Sequence, residues 1–205
     1  MTYPSMPIRL LATLALLIAG VIVSVVSFRD ELTAASIARD GISAASARDL
    51  IEDGRPAALL FAAADRMDAG DHSGRELGMQ LLNAGLERSP HNADALARLS
   101  YLQSLDAGRF SRDAAESLNL SIKQCGYCSK DLLRWRLQYV LLYWQDVPEQ
   151  IRRSVFQGAD FLRWWHSDHE FLADARRYAQ SELIPFNQYQ RAVGSQVRPH
   201  ELPDD

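Results

Sequence analysis

Read for the spacing of apolar and polar positions, the chain divides into one long uncharged run followed by a series of amphipathic stretches. The run from Leu10 to Phe28 contains 19 residues without a charge, close to the ~20 that ~30 Å of hydrocarbon requires. It predicts a transmembrane helix over 8–28 behind a short tail at 1–7. Two other readings fit the same composition: a secretory signal with a poor cleavage site at Val25-Val26-Ser27, and a buried helix of a soluble protein. Signal cores usually span only about 7 to 15 residues, which favours the anchor. Arg9 precedes the run and Asp30 and Glu31 follow it. The amino terminus is therefore expected inside and the bulk of the chain outside, although Arg29 and Arg39 weaken the asymmetry.

Beyond the run, Leu32, Ala35, Ile42, Ala45 and Leu50 recur at helical spacing, interrupted at Gly41, and predict a helical stalk over 29–55. Gly54-Arg55-Pro56 ends it, and a first domain helix is expected from Ala57 to Met67. Ser73-Gly-Arg-Glu76 has the form of a capping box, followed by the stripe Leu77, Leu81 and Leu82. Gly78 and Gly85 leave room for a neighbouring helix, and Pro90 closes the unit. Asn92 reads as the next N-cap, with Leu96, Leu99 and Leu102 buried behind it, then a turn at Asp106–Arg109 and a return helix capped by Ser111. Ser129 opens a stretch to Trp144 with hardly any polar face, so that helix should be central. Pro148 starts another, containing Ile151, Val155, Ala159, Leu162 and Trp165, and Asp168 caps a last one through Phe171, Ala175 and Tyr178. The expected class is all-α, with a helical domain over 56–193 and a disordered tail over 194–205.

Gly78, Leu82, Gly85 and Pro90 follow one another at offsets of four, three and five. Those offsets resemble the small, large, small and proline positions of tetratricopeptide repeats, with Leu96 in place of the repeat's large aromatic residue and Ser100 in place of its glycine. The resemblance covers about one and a half repeats and implies an α-solenoid of helical hairpins that binds other proteins. The layout of anchor, short repeat region and an Arg/Trp-rich part (Leu133–Leu137, Ile151–Arg153, Phe161–Trp165) also looks like that of small membrane proteins encoded with bacterial exopolysaccharide or O-antigen assembly machinery.

Composition narrows the partners. A net charge of -4 supplies no overall positive field for phosphates, so nucleic acid is not expected as a partner. All but two of the 22 basic residues are arginine, and alanine is abundant, usage that leans towards a GC-rich bacterium. In a bacterium the expected location is the inner membrane, crossed once, with the domain in the periplasm.

The sharpest chemical feature is Cys125-Gly-Tyr-Cys128. In an oxidising compartment the pair is expected as a small structural disulfide pinning a turn between helices. Redox exchange is the rival reading, but thioredoxin-like enzymes place this motif after a strand, and no strand pattern precedes Lys123. His166 and His169, with Asp168 and Glu170, could join the cysteines around zinc, yet a polar interhelical turn explains them without a metal. Trp135, Trp144, Trp164 and Trp165 could stack on sugar rings, but aromatic residues at helical spacing more often form core. No phosphate loop, nucleophile elbow or HExxH is present, so neither enzyme activity nor a cofactor or metal is expected. The sequence thus predicts a periplasmic interaction scaffold with other envelope or inner-membrane proteins as partners, an accessory factor of polysaccharide biosynthesis or export. The alternatives are a helper of envelope protein folding or cytochrome c maturation, and a thiol-disulfide oxidoreductase using Cys125 and Cys128.

Overall fold

The computed structural model describes residues 6–67 and 69–197, and every regular element among them is an α-helix. In chain order these are α1 (Met6–Asp40), α2 (Ala44–Glu52), α3 (Ala57–Ala64), α4 (His72–Arg88), α5 (Ala93–Ala107), α6 (Arg112–Gln124), α7 (Lys130–Leu142), α8 (Glu149–Trp165), α9 (His169–Ser181) and α10 (Phe186–Val197).

Local chemistry sets the boundaries. Ser43, Asn92, Ser111 and Ser129 each accept the backbone N–H three residues on, filling one of the donors that a helix start leaves open. Gly41 (φ +83°) and Gly108 (φ +65°) take the left-handed turns that end α1 and α5. The start of α4 corrects the sequence reading. The N-cap is Asp71, which accepts from the Gly74 amide, and Ser73 donates its hydroxyl to the same carboxylate instead of capping the helix itself. That hydroxyl, more than any other group, holds the Asp71 carboxyl below its ordinary range. A charged carboxylate at the positive end of a helix outcompetes a neutral hydroxyl two residues on. α3 is also shorter than expected, turning after Ala64, and α10 runs through Gly194 to Val197, where the sequence pattern starts the tail. The expected tail beyond Val197 and most of the expected tail at 1–7 lie outside the described residues.

Two large apolar clusters make most of the core, with a small third of Ala93, Ala97 and Leu132. Leu59, Leu60, Leu81, Leu82, Leu99 and Leu102 build the first, and Leu118, Leu137, Val140, Phe156, Leu162 and Phe186 belong to the second. Tyr101 of α5 packs against both. The segment expected as a helical stalk contributes to the first cluster: α1 lies along α3, α2 against α3 and α4, and Ile37 and Ala47 are buried. The apolar half of α1 behaves differently. It is long and apolar enough to cross a membrane, and none of its apolar window is buried by the rest of the described chain. Residues 12–25 therefore take no part in either large cluster.

Short connections make successive helices antiparallel, so the links α2–α3, α4–α5, α6–α7 and α8–α9 share one edge. Contacts trace it: the Arg88 guanidinium lies against Gly54, His91 Nδ1 is 2.9 Å from Gln124 Oε1, and the rings of Tyr127 and Phe161 are 4.9 Å apart.

Candidate functional site

Pairing α5 with α6 and α7 with α8 leaves α5, α7 and α9 side by side on one face. Two grooves run between them. The first, about 320 Å³, lies between α5 and α7 and is lined by Ala97, Arg98, Leu132 and Trp135 with Asp94 and Asp131 at its rim. The second, about 450 Å³, lies between α7 and α9, with Leu141, Leu142, Phe171, Ala175 and Tyr178 as walls. Leu142 is 58% exposed and Tyr178 42%, so large apolar surface stands open to solvent there.

A salt bridge ties α7 to α9 between the grooves. Arg134 donates from Nε and Nη2 to the two carboxylate oxygens of Asp168 at 2.5 and 2.6 Å, Lys130 Nζ stands 3.5 Å away, and the guanidinium lies over the Phe171 ring. Hydrogen bonding from Arg134 holds the Asp168 carboxyl below its ordinary range. Asp168 does occupy the N-cap position of α9, but its side chain makes no cap hydrogen bond, because Arg134 has claimed it.

Beneath the face, two buried polar groups fix the helices. The Tyr139 hydroxyl donates to the Ser100 carbonyl at 2.8 Å and lies 2.6 Å from Ser104 Oγ, while Ser100 Oγ donates to the Ala114 carbonyl. Burial pushes the phenol up to about 12. Arg136, 2% exposed, donates to the Ser121 and Cys125 carbonyls at 2.7 Å and so closes the C-terminal end of α6, where the helix dipole favours a cation. Burial lowers this guanidinium to about 10.

Cys125 and Cys128 are bonded to each other across the α6–α7 turn, with Cα atoms 5.5 Å apart. Cys125 is the C-cap of α6, whereas thiol activation in a Cys-x-x-Cys motif relies on the opposite, positive end of a helix. The residues singled out for the repeat sit in the α3–α4–α5 region. Gly78 faces Met67 and Leu102, Gly85 faces the Phe61 ring, Leu82, Leu96 and Leu99 are buried, and Pro90 stands exposed in the α4–α5 turn. His166 packs edge-on against Phe161, and among the described residues no group of three His, Cys, Asp or Glu side chains is placed to hold a metal. The four tryptophans do not share a groove. Trp144 is core, Trp135 walls the α5–α7 groove, and Trp164 and Trp165 stand exposed at the end of α8.

Sequence reasoning missed Arg136 and the Arg134–Asp168 tie. A signal for the first was present: Arg136 falls on the same helical stripe as Leu133, Leu137 and Val140, which a solvated arginine would avoid. No signal in the sequence pairs Arg134 with a residue 34 positions on. No family model, curated protein or solved structure matches the chain.

Proposed function

We propose that this protein is a membrane-anchored interaction scaffold of the bacterial envelope. α1 holds it in the inner membrane with the amino terminus inside, and a tetratricopeptide-like array of hairpins stands in the periplasm. The α5–α7–α9 face binds a segment of another envelope protein, in service of polysaccharide biosynthesis or export. The observation that carries the reading is the open apolar wall of the α7–α9 groove, in which Leu142 and Tyr178 remain accessible while the helices beneath are locked by Arg136 and Tyr139. A rigid face with exposed apolar anchors suits recognition of a protein segment.

The test is co-purification from native membranes in mild detergent, comparing the wild type with a Leu142→Glu/Tyr178→Glu variant. Recovery of a polysaccharide polymerase, chain-length regulator or exporter with the wild type, and its loss from the variant, supports the reading. Equal recovery with both refutes the groove as the binding face. Haem-lyase or chaperone components would replace the pathway, and mixed disulfides through Cys125 would replace the scaffold with an oxidoreductase.

A further inference from the structure

We propose that the edge of the domain carrying Tyr127, Trp164 and Trp165 is a second lipid contact, seated in the headgroup region of the bilayer that α1 crosses. The inference rests on the reading of α1 as a membrane span and adds to it where the folded domain touches the membrane.

The geometry begins at Asp30. α1 is continuous from Met6 to Asp40, so its apolar half and its packed half lie on one helical rod. From Asp30 to its end at Asp40 the rod rises about 15 Å along the domain. The chain then turns at Gly41, and the nine residues of α2 bring it back by about 13 Å. Arg55, at the end of that descent, meets Asp30 with Nη2 3.3 Å from Oδ1. The α2–α3 link is thus level with Asp30, two residues past the last apolar position of the span, Phe28. The links α4–α5, α6–α7 and α8–α9 share this edge, and all of them face the side on which the apolar half of α1 leaves the domain.

The end of α8 and the α6–α7 turn lie on that edge and carry the most exposed aromatic side chains of the described domain. Trp165 is 68% exposed, Trp164 48% and Tyr127 46%. They form a built platform. The Trp165 ring stacks on Phe161 at 5.6 Å, Tyr127 also packs against Phe161 at 4.9 Å, and the Arg163 guanidinium lies over Trp164 at 5.2 Å. Indole and phenol rings with an apolar body and a polar tip concentrate at membrane–water interfaces, and an arginine beside them reaches lipid phosphates. On this edge Arg55, Arg88, Lys130 and Arg163 are interspersed with Glu52, Asp53, Glu87 and Asp131, so the charges alternate in sign, and a contact carried by the rings should persist in high salt.

The test uses the full chain reconstituted in phosphatidylethanolamine–phosphatidylglycerol vesicles, with flotation to report anchoring. Tryptophan emission is then recorded with lipids brominated close to the glycerol end of the acyl chain. Two of the four tryptophans lie at the edge, so about half of the emission is open to quenching. Flotation with quenching that survives high salt and disappears in Trp164→Phe/Trp165→Phe supports the proposal. Flotation without quenching, or with quenching unchanged in the double variant, overturns it and leaves the anchor standing. Failure to float removes the anchor and this inference with it. Quenching relieved by added soluble polysaccharide would assign the platform to sugar and also overturn it.

Discussion

Replacing Gly85 with alanine sets two effects of known sign against each other. In the last turn of α4 the exchange gains at most about 1 kcal/mol from backbone entropy. A Cβ at that position would stand 2.8 Å from Cδ1 of Phe61 and closer still to Cε1. Carbon pairs rest at about 3.5–4.0 Å, so the ring must retreat by roughly an ångström. Phe61 is half-buried between α3 and α4 and cannot retreat without leaving its contacts there. Overpacking of this kind costs about 1–3 kcal/mol, so the net change expected is a loss of up to about 2 kcal/mol. The assay is thermal and urea unfolding of the full chain in detergent, followed by circular dichroism. Phe61→Leu removes the clashing ring edge, and Gly85→Ala should cost less in that background than in the wild type, a coupling that a double-mutant cycle reads directly. Gly85→Ala that stabilises the protein, or costs the same with and without the Phe61→Leu exchange, would refute the close approach of α3 and α4.

Arg136→Met keeps the volume but removes the guanidinium hydrogen bonds to the Ser121 and Cys125 carbonyls, leaving the first with the Cys125 N–H alone; a loss of about 3 kcal/mol is expected by urea unfolding, and a neutral result would contradict the cap. Tyr139→Phe should cost about 1–3 kcal/mol at pH 8, because Ser100 and Ser104 lose their partner. The Tyr139 phenol is raised from about 10 to about 12 on folding, so its contribution is present below pH 10 and lost as pH rises towards 12. Arg136 is lowered to about 10 and contributes in the opposite sense over this window, but it is common to both proteins, so the gap between wild type and Tyr139→Phe should narrow from pH 10 to 12. Leu183, 91% exposed at φ +56°, should accept glycine with a gain of about 1 kcal/mol in thermal unfolding, and a loss would show that its side chain packs against something.

Much of the helical fold is written in local chemistry. The caps Asn92, Ser111 and Ser129, the breaks at Gly41, Gly54 and Gly108, and the helix starts after Pro56 and Pro148 all act within a few residues, so they can be read without knowing what lies across the core. The start of α4 escaped because two capping oxygens, Asp71 and Ser73, compete within three residues and charge decides between them. The packing of residues 29–55 was hidden for a different reason. Ile37 and Ala47 look the same whether a helix stands free or folds back onto α3, and only the Gly41 turn together with the length of α2 returns the chain to Asp30. The α7–α9 groove was the least accessible feature, since it depends on Arg134 finding Asp168 and so on the packing of two helices that are not neighbours in sequence.

Site-specific photo-cross-linking in the native membrane tests the scaffold most directly. A photoreactive residue at Leu142, in the groove, is compared with one at Asp113, on α6 and outside both grooves. The account predicts a discrete adduct with one envelope protein from position 142, absent from position 113 and abolished by Tyr178→Glu. Adducts equal from both positions, or none from position 142 while the protein remains in the membrane, would contradict it.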